Sequence, residues 1–363
     1  MSATYANRLA EAFAKEALKQ FYQGSVVDAV ANRNYEGEIK GVGSLLNILT
    51  FDKIKMKTFS GSNLSPDTVN ESNAQLNVNQ QKAYYFKIPS LAKFQSYIKD
   101  PEGTIISQVG NEMKEVVDNY ALSLYTKVGA GNRVGTNYTT GTVTVTAVTG
   151  AVVGSGTTFT AAMVGRGFQA AGQTSWYQVA TYTDATHITI IDDLDDTSTG
   201  QYTGGSVAGG TSYIIEAVTP IALTSSNVYL QLVNLKQRLD AAKRPKEDRA
   251  LVVSSKVAAM ILQSSALVQP VESLVDEVVR RGLVGRVAGF TVYENEQIKG
   301  DNTNGYHVLA MHKSWMTFAE AYTETGIEEL IGNFGKAYKG LFVYGAKVAD
   351  VNRLSAAELF CTA

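Results

Sequence analysis

An abrupt change of composition at Gly129 limits the possible folds of this chain more than any other feature. Residues 129–210 are rich in Gly, Thr, Val and Ser and carry few charges outside one acidic patch. Alternating apolar runs recur about every 8–12 residues, which is typical of a small all-β sandwich or barrel. The predicted strands include Thr142–Val148, Trp176–Ala180 and Thr186–Ile191, with a turn feeding another strand at Gly154–Phe159. The sequence therefore predicts an all-β module inserted into a chain of different character.

Immediately before this module, the sequence predicts one long helix. Asp100 suits the N-cap, Pro101 the first helical position, and Glu102 complements the helix dipole. Apolar residues then follow at spacings of three and four: Ile106, Val109, Met113, Val116, Tyr120 and Leu124. This pattern predicts a helix that runs to about Lys127 and spans roughly 40 Å at 1.5 Å per residue.

The N-terminal hundred residues predict an arm and an extended excursion. Residues Tyr5 to Phe21 place an apolar side chain at every fourth position, which indicates a helix ending at Gly24 that docks on its own domain or on a neighbouring subunit. Phe51–Phe59 alternates in strand fashion, Gly61–Asn79 is polar and turn-rich, and Ala83–Ile88 is a second strand. A two-stranded excursion over Gly41–Ile88 buries little within its own chain and needs outside support.

Three lysines alternate with less polar residues in the first strand of this excursion. They are Lys53, Lys55 and Lys57, and they share one face of the predicted strand. That face is either simply solvated or directed at an acidic partner on another subunit, and the residues alone leave both interpretations open.

After the module, strands and helices alternate. The sequence predicts a helix from Thr224, a strand at Arg249–Val253 and a helix capped by Ser254 or Ser255. It then predicts a strand at His307–Met311 and a last strand at Tyr338–Val348. Together with the region before the module, this pattern indicates one α+β body.

A glycine-punctuated stretch, Arg281–Asn295, lies within this second half. Gly282, Gly285 and Gly289 suit bends or close backbone approaches, and Phe290–Tyr293 is typical of a buried strand. We expect a loop that delivers a strand into a sheet, with no catalytic group.

Composition excludes several classes of protein. The net charge of −2 gives no basic surface for nucleic acid, and Cys361 is the single cysteine, which excludes internal disulfides. Cys361 is either a reactive thiol or a tolerated residue in a terminal segment. No run of about 18 apolar residues predicts a membrane span, and residues 1–24 do not resemble a signal peptide, so we expect cytoplasmic synthesis.

Few residues suggest chemistry, and we expect neither enzymatic activity nor a cofactor. Gly129–Gly135 has the wrong glycine spacing for a phosphate loop. His307 and His312 are spaced wrongly for a helical metal pair, and His187 is far away in sequence. Trp176, Tyr177 and Tyr182 form either a sugar-stacking platform or part of a β core. One carboxylate cluster is a weak calcium candidate or a solvated turn: Asp192, Asp193, Asp195 and Asp196.

Four stretches of the second half together resemble the major capsid proteins of tailed bacteriophages, which have the Hong Kong 97-type capsid fold. These are Arg249–Ala259, Gly282–Asn295, Trp315–Glu320 and Gly340–Val348. The first half fits the same family, with an N-terminal arm, an extended loop and a spine helix. Residues 129–216 depart from its basic pattern and look like the β insertion domains of some capsid proteins. Within them, Gly154–Arg166 is similar to modules that recur in phage structural proteins.

The resemblance implies an N-terminal arm and an extended loop, then a spine helix, an inserted β domain, and an axial domain with returning peripheral strands. The corresponding ranges are 1–40, 41–99, 100–128, 129–216 and 217–363. It implies subunits that assemble as hexamers and pentamers, in the host cytoplasm, into the icosahedral shell of a virion around packaged double-stranded DNA. Scaffold, portal and decoration proteins are further candidate partners, and no membrane is involved.

The extended loop would lie across a neighbouring subunit, and the glycine-punctuated stretch would pack near the capsomer axes, with Gly285, Arg286 and Gly289 between subunits. Two other functions stay open. One is an adhesin or carbohydrate-binding protein that displays the β module. The other is a hydrolase on the α/β region.

Overall fold

The structure is a computed structural model of the 363-residue chain. It describes residues 25–34, 45–51, 56, 71–89, 101–192, 202–264, 285–301, 305–329 and 335–362. The predicted N-terminal helix over residues 5–24 lies outside this part of the chain. The chain divides into two compact units. The first draws on Met1–Ala121 and Met316–Val351, and the second on Leu122–Trp315 and Asn352–Ala363.

The described residues of the first part of the chain form two helices and three strands. They are α1 (Val27–Val30), β1 (Leu45–Phe51), β2 (Glu71–Asn77), β3 (Gln80–Pro89) and α2 (Pro101–Ser123), with a 3-10 turn at Leu124–Lys127. Helix α2 begins at the predicted proline and confirms the predicted long helix. Its most buried stripe is Met113, Val117 and Ala121, one position away from the predicted Val116 and Tyr120, which are half-buried.

The excursion contains a two-stranded ladder whose strands differ from the predicted ones. The predicted strand Phe51–Phe59 lies outside the described residues except for Phe51 and Met56. Strand β1 pairs antiparallel with β2, from Leu45 opposite Asn77 to Phe51 opposite Glu71. The predicted turn-rich segment therefore contains a strand, which its polar sequence, E-S-N-A-Q-L-N, does not reveal. The predicted strand Ala83–Ile88 exists within β3 but is not the partner of β1. It pairs with a strand near the end of the chain.

That second sheet consists of β3 with β19 (Thr317–Glu329) and β20 (Gly335–Lys347), in the order β19-β20-β3. Aromatic rings follow one face of β20, where Tyr338 stacks on Phe86 and Phe342 stacks on Tyr344, both at 5.3 Å between centroids. Tyr120 of α2 meets Tyr344 edge-on at 5.3 Å, so the helix packs against this face.

The β module, residues 136–219, is a single eight-stranded antiparallel sheet with the order β11-β6-β7-β10-β9-β8-β12-β5. The strands are β5 (Thr136–Tyr138), β6 (Thr142–Val145), β7 (Ala151–Ser155), β8 (Gly167–Ala170), β9 (Tyr177–Asp184), β10 (His187–Ile191), β11 (Val207–Thr211) and β12 (Tyr213–Thr219), with a 3-10 turn at Ala161–Met163.

The core of the β module explains its shape. One buried cluster includes Phe168, Ile188 and Ile190, and both edge strands supply residues to it, Tyr138 from β5 and Val207 from β11. The sheet therefore curls around its core, and the described residues do not form two packed sheets. Gly154 and Ser155 end β7 instead of feeding a strand, and the next large apolar residue, Phe159, enters the core from a loop.

The second unit also contains a mixed sheet, which we call the α/β body together with the two helices that the structure describes beside it. Its elements are β4 (Arg133–Val134), β13 (Ile221–Ala222), α3 (Val228–Ala241), β14 (Arg249–Val253), α4 (Ser255–Leu262), β15 (Arg286–Val287), β16 (Phe290–Glu294), β17 (Gly300–Asp301), β18 (Gly305–His312) and β21 (Ala356–Thr362). The main strand order is β13-β21-β18-β14-β16-β15, with both parallel and antiparallel pairs. A 3-10 turn at Asp350–Ser355 precedes β21.

Most predicted elements of this region are confirmed. Strand β14 has the predicted bounds, and all five of its residues are buried. Helix α3 places Leu232, Leu235 and Leu239 in the core of the α/β body, and Val257 and Ile261 of α4 join the same cluster. The fold therefore mixes helices and strands, as the α+β prediction requires.

The prediction that Tyr338–Val348 is the last strand is wrong. Strand β21 follows it and pairs with β18 from Tyr306 opposite Cys361 to Met311 opposite Ala356. Cys361 is fully buried, and burial raises the pKa of its thiol to about 12, so it is neither a reactive thiol nor a loose terminal residue. The sequence A-A-E-L-F-C-T hides this strand because alanines and a central glutamate interrupt the strand pattern.

Candidate functional site: assembly elements and the module junction

The predicted inter-subunit stretch forms a tight β-hairpin. Arg286 pairs with Thr291 and Val287 with Phe290, so Ala288 and Gly289 alone form the turn. Both turn residues have positive φ, 51° and 90°, as a type I′ hairpin requires. Gly285 also has positive φ, and its carbonyl accepts a hydrogen bond from Val292 N–H. The side chain of Arg286 is exposed.

The other predicted site residues are only partly within the described chain. Lys53, Lys55 and Lys57 lie outside it, whereas Met56 between them is described and is 96% exposed. Asp193, Asp195 and Asp196 also lie outside it. Asp192 accepts a hydrogen bond from Thr203 N–H at 3.0 Å. Within the described residues, no group of three or more His, Cys, Asp or Glu side chains has metal-binding geometry.

The β1–β2 pair, which we call the arm, is anchored at the end where β1 begins and β2 ends. Leu76 and, just beyond β2, Val78 are fully buried there in a small cluster with Ala319 and Val343. Leu45, which pairs with Asn77 at this same end, is nevertheless 56% exposed. Together with Met56, it leaves apolar surface open at and near the arm.

Five ionisable side chains meet where the β module joins the α/β body. We call them the module junction: Arg133 of β4, Arg166 of the turn before β8, Glu216 of β12, His307 of β18 and Glu358 of β21. All five side chains are at most 12% exposed. Charges buried to this degree are costly unless they compensate one another, so their pairing determines what the junction can do.

Most of the positively charged and proton-donating groups of the junction lie around Glu358. His307 Nδ1 lies 2.6 Å from its Oε1, Arg166 Nη1 lies 3.3 Å from the same oxygen, and Arg133 Nε lies 3.3 Å from Oε2. Burial by itself raises the pKa of Glu358. The hydrogen bond from His307 and the charges of Arg133 and Arg166 outweigh that effect and lower the pKa to about 2. Glu358 is therefore ionised at neutral pH.

Arg133 ties the junction together through the backbone. Its Nη2 donates to the carbonyls of Thr126 and Val128 at 2.8 and 3.0 Å, and its Nη1 donates to the carbonyl of Gly165. Gly165 lies in the module, in the turn that also carries Arg166. One guanidinium thus fixes the segment entering the module and a turn within it.

Aromatic rings enclose His307 on the body side. Tyr125 lies 4.2 Å from the imidazole, between ring centroids, and Phe360 stacks on it at 4.9 Å. The Arg166 guanidinium covers the Phe360 ring at 4.9 Å. These contacts hold His307 and Arg166 in place beside Glu358.

Glu216 is the under-compensated member of the junction. Its Oε2 accepts one hydrogen bond, from Gly131 N–H at 2.7 Å, and its Oε1 lies 4.0 Å from Arg133 Nε without a hydrogen-bond partner among the described residues. Burial raises the pKa of Glu216 to about 7, although Arg133 and the Gly131 amide oppose the shift. Two buried carboxyl groups in one cluster therefore titrate far apart.

Partial signals of this junction are present in the sequence. Glu216 and Glu358 each stand alone within apolar strand segments, and a buried carboxylate there requires a partner. Arg133 lies in a glycine-rich segment without any pattern. The sequence predicts a strand or surface histidine at His307, and the structure shows a buried strand residue there.

The aromatic platform predicted on the module does not form around Tyr177. This side chain is 8% exposed and meets Tyr202 edge-on at 4.7 Å inside the core. Tyr182, in the same strand, is exposed. The core interpretation is therefore correct for Tyr177. In the part of the chain that the structure describes, no helix is long and apolar enough to cross a membrane.

No protein-family profile and no curated protein matches this sequence. Solved structures do match its fold. A structure from Mycobacterium phage Che8 aligns with a TM-score of 0.55 at 14% identity and covers 93% of this chain and 91% of its own. The capsid structure of the cyanophage P-SCSP1u gives 0.53 at 12% identity over 93% and 88%. The capsid of Ralstonia phage GP4 gives 0.53 at 10% identity over 93% and 92%. The chain has the fold of phage capsid proteins, which confirms the resemblance at that level.

Proposed function

We propose that the chain is a major capsid protein of a tailed bacteriophage, with the Hong Kong 97-type fold and an inserted β domain. Many copies would assemble as hexamers and pentamers into an icosahedral shell that encloses double-stranded DNA. The observation that carries this proposal is the fold match, which extends over 93% of this chain and about nine-tenths of phage capsid chains. A match of that extent is not confined to one segment of the chain.

The charge of the chain agrees with a shell lining. A protein that binds DNA through its phosphates uses clustered Lys and Arg and becomes sensitive to salt. This chain has 32 Lys and Arg against 34 Asp and Glu. We therefore propose that DNA is enclosed without specific binding. Scaffold, portal and decoration proteins, and assembly in the host cytoplasm, belong to the same proposal.

The arm is the element that we assign to contacts between subunits. Leu45 and Met56 expose apolar surface, although Leu76 and Val78, at the end of the arm where Leu45 lies, are buried. A two-stranded ladder of this kind is marginal alone, and a neighbouring subunit would supply the missing support. In this proposal Lys53, Lys55 and Lys57 face acidic groups of that neighbour. The hairpin of Gly285, Arg286 and Gly289 would pack near the capsomer axes.

Electron microscopy of the purified full-length chain tests the proposal, and closed shells or capsomers are the expected result. A chain that stays monomeric under all assembly conditions, with no shells in its source, would contradict it.

Deletion of residues 61–70 tests the role of the arm, because it spares β1 and β2. We expect a subunit with an unchanged melting temperature that fails to form stable shells, as judged by sedimentation. Normal shells from this variant would remove the arm from the assembly mechanism and leave the rest of the proposal intact.

A further inference from the structure

The module junction contains one carboxyl group whose charge the surrounding residues do not balance. Glu358 has three cationic or proton-donating neighbours within 3.3 Å, whereas Glu216 has a hydrogen bond from Gly131 N–H, a weaker contribution from the Arg133 amide and an arginine nitrogen at 4.0 Å. Both side chains are at most 3% exposed. The two carboxyl groups lie around the same nitrogen, Arg133 Nε, and therefore compete for one positive charge.

Arg133 cannot turn towards Glu216 without breaking other contacts. Its two terminal nitrogens already donate to three backbone carbonyls, and its Nε is closer to Glu358 than to Glu216. Gly167 backs the Glu216 carboxylate so closely that a Cβ at this position would overlap Oε1. Glu216 is therefore fixed in place, buried and short of hydrogen-bond donors, which favours its neutral form.

The position of Glu216 gives this protonation a structural consequence. Glu216 belongs to β12, whose neighbours β8 and β5 are module strands. It accepts from Gly131, in the segment that leads into the body strand β4. The charged groups that act on Glu216 are Arg133 (β4) and Glu358 (β21). Arg166 (the turn before β8) and His307 (β18) surround Glu358 in turn, and Tyr125 (the 3-10 turn after α2) lies beside His307. A proton bound here acts on the contact between module and body.

We propose that Glu216 is a proton-operated latch, which when neutral holds the β module against the α/β body and when ionised loosens that junction. The latch is a property of the single subunit and does not depend on assembly. It gives the subunit a means of adjusting the docking of the β module near neutral pH without covalent change.

The expected pH dependence follows from the two carboxyl groups. The folded pKa of Glu216, about 7, is above its ordinary value of 4.5, so its stabilising effect is complete below pH 4.5 and is lost as pH rises through 7. The pKa of Glu358, about 2, is depressed, so its effect is present above pH 4.5 and is lost as pH falls towards 2. The contribution of Glu216 to stability therefore falls as pH rises between about pH 4.5 and 7. The contribution of Glu358 changes in a separate range, below pH 4.5.

Denaturant unfolding of the full-length, unassembled chain and of its Glu216→Gln variant, between pH 5 and 8.5, tests the latch. Glutamine keeps an oxygen for the Gly131 amide and cannot ionise. We expect the ratio of the two unfolding constants, wild type over variant, to rise by roughly tenfold per pH unit between about pH 5 and 7 and to level off above that, as one proton requires. A ratio that does not change over this window would overturn the proposal.

Two variants sharpen the result. Glu328→Gln removes a glutamate whose side chain is half exposed. The ratio of unfolding constants, wild type over this variant, should not change with pH. In Glu358→Gln, Arg133 is freed for Glu216, so the titration window of Glu216 should move down by about one pH unit or more. An unmoved window would show that Arg133 is not shared and would contradict the geometry on which the latch rests.

Hydrogen exchange on the unmodified chain covers the case in which a variant does not fold. After correction for intrinsic rates, protection of residues 129–135 should fall relative to the module core strand β7 as pH rises through 7. Equal changes in both segments would overturn the proposal.

Discussion

The arm and the module junction leave opposite kinds of group without full compensation. At the arm, the apolar side chain of Leu45 remains in contact with solvent, although Leu76 on the paired strand is buried. At the junction, five ionisable side chains are withdrawn from solvent and must balance one another. Removing exposed apolar side chains changes the free energy of unfolding of an isolated subunit little, because that surface stabilises only when another molecule covers it. Removing one partner of a buried charge lowers the free energy of unfolding of the isolated subunit directly.

Because of this difference, substitutions in the two regions should change different measured quantities. Substitutions in the junction should change the free energy of unfolding of the isolated chain. Substitutions on the arm should leave that free energy almost unchanged and alter assembly. A junction variant with no effect on unfolding, or an arm variant with a large one, would break the distinction.

Arg133→Met should have the largest effect on stability. It removes the donor to three carbonyls and leaves Glu358 and Glu216 without their shared cation. Breaking a buried pair from one side typically costs about 3–5 kcal/mol, and we expect a loss of that size in urea unfolding at pH 7. Arg133→Lys keeps the charge without the planar fork and should lie in between.

An exposed ion pair provides the control for this variant. Lys339 and Glu328 pair with side chains that are about half exposed. Glu328→Gln should cost roughly 0–1 kcal/mol, because solvent screens such pairs. If Arg133→Met costs no more than this control, the junction does not hold the module and the body together.

Gly167→Ala should have an intermediate effect. A Cβ at this position would overlap the Glu216 carboxylate and come within 2.9 Å of Ala130 Cβ. Overpacking of this kind costs about 1–3 kcal/mol, measured by the same unfolding experiment. Gly205→Ala is the matched control, because a Cβ there meets nothing within 4 Å and the backbone is unstrained; it should change stability by less than about 0.5 kcal/mol.

A double-mutant cycle determines which neighbouring residue opposes the methyl group that Gly167→Ala adds. Combined with Glu216→Ala, which removes the opposing carboxylate, the substitution should cost less than it does alone, with a coupling of about 0.5–3 kcal/mol. Additive effects would show that the methyl group is resisted by Ala130 and not by Glu216.

How much the sequence predicts depends on where the partners of a segment lie. Strand β14 is predicted with its correct bounds because five buried residues in a row leave no other interpretation. The second strand of the arm is not predicted, since β2 has a polar sequence and pairs through its backbone. Backbone hydrogen bonds leave no trace in side-chain patterns, so such pairings are invisible in a single sequence.

The junction shows the same limit for sites. A lone glutamate in an apolar strand predicts a buried partner, but nothing in the local pattern identifies Arg133, which is far from Glu358 in sequence. The competition between Glu216 and Glu358 for one guanidinium depends on whether a carboxylate oxygen lies 4.0 or 3.3 Å from Arg133 Nε. Composition and spacing contain no information at that scale.

The smallest effect on stability, and the clearest on assembly, should come from the arm. Leu45→Thr with Met56→Thr removes exposed apolar surface, and the threonine at position 45 is a residue type that strands favour. The free energy of unfolding should change by less than about 0.5 kcal/mol. If a neighbouring subunit covers these side chains, the loss of about 1.5 kcal/mol or more of burial should raise the protein concentration needed for shell formation by roughly tenfold.

Val153→Thr in the β module is the matched control, since Val153 is 45% exposed in strand β7 and lies outside the arm. Light scattering against protein concentration measures both variants. An equal shift for the two would mean that assembly responds to exposed apolar surface in general. A shift confined to the arm variant would support a contact between subunits at Leu45 and Met56, because loss of exposed apolar surface in the β module would then have no effect on assembly.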